Sequence, residues 1–451
     1  MRKSLFLTSL LLIVSIGTIY GTNHWLNTLK DAIEIEEITL LGDKSAAKGI
    51  TVKSRTNSIR HLFWETQFIV EDPLDPKTTF IFSQAAKEEP RVRVPQLMIS
   101  SSIDFSMGGN GLDLEQEHEL ATKPAIDVAT RTPNGEKRTE IVSLSDYYPF
   151  YPVTMDVELP YDSNFISYAP HVVTNYFKIP ISKQHKLEVS VTKNTSGEIV
   201  DVESNTISDN KSLQSEAVIL KSGCYYIICF SDAPIENSLE IPIQVSGIHF
   251  LPFEIKDGFP EANLTKMKCV YPFEDKSTKA LSLTYDETDE TLLLITREDN
   301  AVMLSVIDRH SMTLIQKTEI TKTDSNVSFS EIKQLDNAFV ISFSDQRFYL
   351  FSKTTGRQYD LMMADALPDL EQIGHVFFDR TQMAYNGNRL VMTFYPQYYE
   401  SSLCLIVYDQ TGLAYVGQYA QSTDRSVKSS IHQNVRPMDQ SPLSILFESS
   451  F

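Results

Sequence analysis

Basic residues are scarce in this chain. Lys and Arg number 40 against 59 Asp and Glu in 451 residues, which leaves a net charge of −19. A body so acidic repels phosphate backbones, so nucleic acid is excluded as a partner, and docking onto anionic lipid is opposed. Cysteine is scarcer still. Four residues in a chain of this length do not make a disulfide scaffold. Cys224 and Cys229 fall on one expected strand an odd number apart, so they face opposite ways and cannot bridge each other. They read as small buried apolar residues; a Cys229–Cys269 bridge stays open in an oxidising compartment. The Gly-x-Ser-x-Gly elbow is absent, and no Cys/His pair has a nucleophile's spacing. The nine histidines are scattered, no two of them four apart, and His118, His171 and His185 fall in expected loops. No zinc pattern results. No catalytic residue is identified, and the reading leans away from an enzyme.

Long apolar runs are also missing, with one exception. Arg2 and Lys3 precede an uncharged run from Ser4 to Gly21, centred on Leu10–Val14. Its 18 residues are short for a spanning helix but within range. Residues 1–21 are expected to be a signal-anchor or transmembrane segment and 22–32 a juxtamembrane linker. The positive-inside rule then places the body, residues 33–451, outside a cell membrane crossed once. Cleavage of a signal followed by secretion is the alternative.

What remains is rich in strand formers. Tyr and Phe number 20 and 24 against 17 Gly, and no segment after residue 32 shows a sustained 3.6-residue period, so the body is expected to be all-β. Ile33, Ile35, Ile38 and Leu40 predict a strand with a bulge. Strands follow at 50–52, 62–70 and 78–83, and the charged, Pro-bearing segment Lys87–Pro95 reads as a loop. Ile126–Leu144 predicts a hairpin around Pro133-Asn134-Gly135, and Leu187–Val202 another around Asn194-Thr195-Ser196-Gly197. Cys224–Phe230, apolar on both faces, predicts a central strand. Leu443–Phe447 predicts a last strand, placed to complete a sheet begun by the first ones.

The clearest pattern lies between residues 281 and 418. Turns at Tyr285-Asp286, Leu335-Asp336 and Tyr385-Asn386 recur every 50 residues. Each is followed by an apolar strand, a hairpin and a second strand. Each unit then closes on a polar turn, at 307–311, 351–356 and 408–412. Self-similarity at about 40–50 residues with four strands per unit marks a β-propeller. In the closing turns, Asp308…Ser311, Ser352…Thr355-Gly356 and Asp409-Gln410-Thr411-Gly412 resemble the repeats of bacterial YVTN and PQQ-type propellers. The Asp or Ser side chain is expected to cap the turn amides, with Gly in the left-handed region. The Trp of PQQ-type repeats is missing, so quinone binding is not implied. The layout is similar to that of exported surface proteins of Gram-positive bacteria. A propeller of seven or eight blades is expected, the remaining blades coming from residues 33–280. A β-sandwich-like N-terminal domain before a smaller propeller is the alternative.

Two side-chain constellations qualify as candidate sites. The tyrosines Tyr147, Tyr148 and Tyr151, and Tyr395, Tyr398 and Tyr399, form clusters whose flat rings suit sugar C–H groups or a protein partner; otherwise they pack between blades. Asp113, Glu115, Glu117 and Glu119 alternate, and in an extended segment would line one face as a Ca²⁺ site. The bland alternative is a solvated acidic loop. The acidic turn Asp286–Glu290 has the same two readings. No other cofactor is expected. The function expected is a non-enzymatic, exported, membrane-anchored propeller that binds protein or carbohydrate at the cell surface. The alternative is an envelope glycan hydrolase whose paired carboxylates meet at the propeller channel. A third reading is an accessory subunit whose anchor pairs with another membrane protein.

Overall fold

The computed structural model describes residues 2–451 apart from 31–32, 59–61, 83–95, 101–105, 109–118, 152, 162–163, 168–170, 182, 184, 208–212, 231–245, 257–258, 276–277, 323–326, 355, 371–375, 377, 397–401, 424–439 and 448–451. The body is all-β, and the chain divides into two compact units.

The first unit comprises residues 1–92 and 327–451. Among the described residues it holds three antiparallel sheets. One runs β1 (Ile33–Gly42), β29 (Gly412–Thr423), β28 (Ser402–Asp409), β27 (Leu390–Phe394), β26 (Gln382–Tyr385). The next runs β30 (Gln440–Phe447), β2 (Ile50–Ser58), β3 (Leu62–Ile69), β4 (Lys77–Phe82). The third is a meander of β22 (Phe329–Gln334), β23 (Ala338–Phe343), β24 (Arg347–Lys353) and β25 (Tyr359–Ala366).

The second unit, residues 93–326, holds four sheets among its described residues. In the first, β8 (Thr154–Tyr161) pairs with β5 (Gln96–Ser100), β9 (Asn164–Ser167) and β10 (His171–Val172). The second runs β6 (Ser106–Gly108), β12 (Ile199–Thr206), β11 (Lys186–Lys193), β7 (Lys137–Ser143). The third runs β13 (Leu213–Leu220), β14 (Gly223–Phe230), β15 (Gly247–Lys256), β16 (Phe259–Ala262), with β17 (Lys268–Pro272) also on β15. The fourth is a meander of β18 (Lys279–Asp286), β19 (Thr291–Glu298), β20 (Ala301–Asp308) and β21 (Leu314–Lys322).

Sheets of four or five antiparallel strands are what propeller blades are made of. The three repeats coincide with the sheets β18–β21, β22–β25 and β26–β29. The expected first strand is β1, and its bulge falls between Thr39 and Leu41. The expected last strand is β30, and it pairs with β2. Because β1 and β2 are completed by β29 and β30, the first strands share sheets with the last. That arrangement disagrees with a self-contained sandwich over the N-terminal half.

Turn chemistry fixes the repeats. Asp308 Oδ1 accepts from the Ser311 and His310 amides at 2.7 and 3.1 Å. Asp409 Oδ1 accepts from the Thr411 amide at 2.7 Å, and Asn386 Oδ1 from the Arg389 and Asn388 amides at 2.9 and 3.1 Å. Gly356 and Gly412 have φ of +77° and +113°. In the middle repeat the Ser352 hydroxyl donates to the Asn337 carbonyl at 3.4 Å, and Thr355, its expected partner in the turn, lies outside the described residues. That turn also closes through the Thr354 amide and hydroxyl, both donating to the Gln358 carbonyl.

The hairpin expected over Ile126–Leu144 is not formed. Residues Glu119–Arg131 make an α-helix, α2, and only the second half is a strand, β7. Ala125, Val128, Ala129 and Thr132 are buried, which is helical spacing. The alternation of Ile126, Val128 and Thr130 imitates a strand. Burying the 125/128/129/132 face decides the outcome, because one fully buried Val alone contributes about 1.5–3 kcal/mol. The Asp127–Arg131 ion pair, four residues apart at 2.6 Å, supports the opposite face. The hairpin around Asn194–Gly197 forms as expected, between β11 and β12. Cys224–Phe230 lies in β14, which pairs on both sides. Cys269 is a free thiol, so no Cys229–Cys269 bridge forms.

The expected single-pass anchor is also overturned. Residues Arg2–Lys30 form one helix, α1. Among the described residues no helix is long and apolar enough to cross a membrane. The helix continues past the 18-residue apolar run through Thr22, Asn23, His24 and Asn27, and a span calls for about 20 predominantly apolar residues.

Within the first unit, apolar layers fill the spaces between sheets. Phe348, Leu350, Met392, Ile406 and Tyr408 pack together on one side of the β26–β29 sheet. Val52, Phe68, Leu405, Tyr415 and Tyr419 pack on the other. Arg389 ties the second layer at its rim. Its Nη1 donates to the Ala46 and Lys48 carbonyls at 2.8 and 3.2 Å, and its guanidinium lies 5.6 Å from the Phe447 ring centre. Replacing Arg389 with Ala removes both hydrogen bonds and the ring contact. The expected loss is about 1–3 kcal/mol, read as a lowered urea midpoint with unchanged far-UV circular dichroism.

Candidate functional site

The tyrosines singled out in the sequence sit mostly inside the second unit or outside the described residues. A short 3₁₀ turn at Leu144–Asp146 delivers Tyr147, Tyr148 and Tyr151 to the core that holds Leu144, Val189 and Phe177. Tyr148 and Tyr151 are buried. The Tyr151 hydroxyl meets His185 Nδ1 at 3.1 Å. Tyr147 is half-buried and donates to Asp127 Oδ2 at 2.6 Å. Burial, then the hydrogen bond to Asp127, pushes its hydroxyl up to about 12, while the same bond holds the Asp127 carboxyl below its ordinary range. This cluster therefore joins α2 to the β-sheets and presents Tyr147 alone toward solvent.

Tyr395 follows β27 in the first unit. It packs against the layer of Val52, Phe68 and Leu405 and hydrogen-bonds Ser54; burial pushes its hydroxyl up to about 12. It anchors the start of its loop. Tyr398 and Tyr399 lie outside the described residues, as do Asp113, Glu115 and Glu117. Glu119 is the first residue of α2, so the acidic alternation ends where a helix begins. Among the described residues no group of three or more His, Cys, Asp or Glu could hold a metal ion. In the acidic turn, Asp286 Oδ1 accepts from the Thr288 amide at 2.9 Å. Glu290 pairs with Arg309 and with His310, each at 2.8 Å.

Two polar clusters were not signalled by the sequence. In the first unit, Tyr415 donates to Glu37 Oε1 at 2.8 Å, and the Tyr419 hydroxyl lies 2.9 Å from that of Tyr415. Since Tyr415 gives its proton to Glu37, Tyr419 donates to Tyr415. Lys44 contacts the other oxygen of Glu37 at 2.5 Å and Asp72 at 2.5 Å. Burial works against the charged Lys44, yet hydrogen bonds to Asp72 and Glu37 hold its ammonium above the ordinary range. In the second unit, register places Tyr226, His249 and Cys269 side by side on β14, β15 and β17. His249 is fully buried and stacks on Tyr226 at 5.3 Å, and the Tyr176 hydroxyl meets its Nδ1 at 2.9 Å. Tyr226 donates to Met267 Sδ at 2.7 Å. Burial pushes the Cys269 thiol up, which disfavours the reactive thiolate. Both clusters give polar groups packed between strands hydrogen-bond partners.

The raised phenols predict an alkaline limit. Tyr176 and Tyr395 are pushed up to about 12 by burial. The folded chain therefore keeps protons that the unfolded chain releases near pH 10. Their contribution is complete below pH 10 and is lost as pH rises toward 12. It is on the order of 2 kcal/mol for each, and less for half-exposed Tyr147. Tyrosinate absorbance at 295 nm should titrate in a late, cooperative step that coincides with loss of circular dichroism.

No family model matches the chain, and no curated protein matches it in sequence. The resemblance to YVTN and PQQ-type repeats thus extends to propeller architecture and no further. Solved structures that resemble it include a periplasmic gluconolactonase of Pseudomonas aeruginosa, 8% identical over 88% of this chain and 99% of that one, with a TM-score of 0.33. A protein from Lactobacillus plantarum is 7% identical over 87% and 100% of the two chains, also with a TM-score of 0.33. A β-propeller domain from Myceliophteria thermophila is 8% identical over 64% and 98%, with a TM-score of 0.26. Likeness at this level carries nothing about activity, and the fold rests on the sheets themselves.

Proposed function

We propose that the chain is a non-enzymatic binding scaffold of propeller type whose partner is a protein. The observation that carries this reading is the set of side-chain-capped turns. Asp308, Asn386 and Asp409 lock the strand ends, which gives the connecting loops a rigid frame, and loops on rigid frames are where binding residues concentrate. The net charge of −19 favours a partner with a basic surface. The loop between β27 and β28 is the binding element. Tyr395 anchors it, and Tyr398 and Tyr399 supply the rings that meet the partner.

The test is capture of binding proteins by the immobilised chain, compared with its Tyr398→Ala/Tyr399→Ala variant. The wild type should retain a salt-sensitive partner, and the variant should lose at least tenfold in affinity without a change in melting temperature. Equal capture by both would remove the loop assignment. Binding to a glycan array that disappears in the variant would move the partner class from protein to carbohydrate.

A further inference from the structure

We infer that β30 exchanges between two copies of this chain, so that the edge of β2 is an interaction surface whose partner is a second copy. The argument starts from how β30 is held. It lies at the outer edge of its sheet and has one ladder, to β2, from Ile50↔Phe447 to Thr56↔Gln440. That ladder is interrupted by a register shift between Lys53 and Ser54. An inner strand such as β29 is held by two ladders, to β1 and β28. Of the described side chains of β30, Ile445 alone is buried, and Leu446 is 58% exposed.

The other strand that crosses into a distant sheet is β1, and it is held differently. Glu37 on β1 is bonded to Tyr415 and to Lys44. Among the described residues the side-chain tie on β30 is the contact of its Phe447 ring with Arg389, which also holds the Ala46 and Lys48 carbonyls. A ring contact of this kind is worth less than the hydrogen-bonded Glu37 cluster, so β30 is the weaker of the two crossings.

Exchange preserves what β30 contributes. The β30 of a second copy brings the same Ile445 against Val52 and the same Phe447 beneath Arg389. Each backbone bond of the ladder is remade between copies, so the main cost is association, as in domain swapping generally. The device is reciprocal, because each copy gives one strand and receives one.

Disulfide trapping tests this with the full chain. Lys53 and Ser444 are direct partners in the ladder, and opposed residues in antiparallel strands are about 4.5–5.5 Å apart at Cα, within disulfide range. Chains carrying Lys53→Cys are mixed with chains carrying Ser444→Cys, concentrated, warmed and then oxidised. Exchange predicts a covalent heterodimer on a non-reducing gel that neither variant forms alone. A chain carrying both substitutions should close on itself when dilute and link to a neighbour when concentrated. No heterodimer, together with closure of the double variant only within one chain at every concentration, would overturn the proposal. Lys53 also pairs with Glu65 at 2.7 Å, so a second pair, Thr51→Cys and Leu446→Cys, in the same ladder, is read in the same way.

Discussion

Replacing Gly417 with Ala is expected to destabilise the first unit by about 3–5 kcal/mol. A Cβ built at Gly417 would stand 2.0 Å from the Tyr415 hydroxyl oxygen and 2.5 Å from the adjoining ring carbon. The phenol cannot yield cheaply, because Tyr415 is fully buried and its hydroxyl is bonded to both Glu37 and Tyr419. Moving the ring costs repacking of about 1–3 kcal/mol. It also breaks the hydrogen bonds to Glu37, which Lys44 still holds, and to Tyr419, together about 2 kcal/mol. Tyr415→Phe separates the two effects. It removes the hydroxyl without the clash and should cost only the hydrogen-bond share. Urea unfolding followed by circular dichroism gives both values. A Gly417→Ala loss no larger than that of Tyr415→Phe would show that the ring moves freely.

His249→Ala should be comparably damaging in the second unit. The imidazole fills the space among Tyr226, Phe177 and Tyr176, with ring centres 5.3, 5.7 and 5.6 Å away. Truncation leaves a cavity and orphans the Tyr176 hydroxyl. Together these are expected to cost about 3–5 kcal/mol. His249→Phe refills the volume and should recover more than half of the loss. Equal damage from both variants would mean that the hydrogen bond to Tyr176, not the packing, holds this core.

What the sequence made legible was local. The repeats between 281 and 418 could be read because Asp308, Asn386 and Asp409 act within three residues of themselves. Strand β30 could be read from its apolar run, and its sheet from the rule that late strands complete early ones. α2 was misread because its β-branched residues alternate while its buried face, 125/128/129/132, follows the helical turn. Burial of one face, not propensity, settles that contest. Tyr147–Tyr151 looked like a surface aromatic cluster because composition alone cannot tell a ring that covers a core from one that faces solvent. The Glu37–Tyr415 bond joins residues 378 apart in sequence. Neither residue carries a signal by itself; only strand register brings them together.

The pairing of β2 with β30 has a consequence for synthesis. Residues 59–439 must be made after β2 and before β30. At about 5–20 residues per second this takes roughly 20–75 s. Throughout that interval the growing chain carries an open strand edge, the template on which nascent chains aggregate. The charges of Lys53, Arg55 and Glu65 on β2 and β3, which pair with one another at 2.7 and 2.8 Å, sit on that waiting edge and its neighbour. Charges so placed suit a gatekeeping role during translation, and replacing them with apolar residues should lower soluble yield even where the finished fold would tolerate the change.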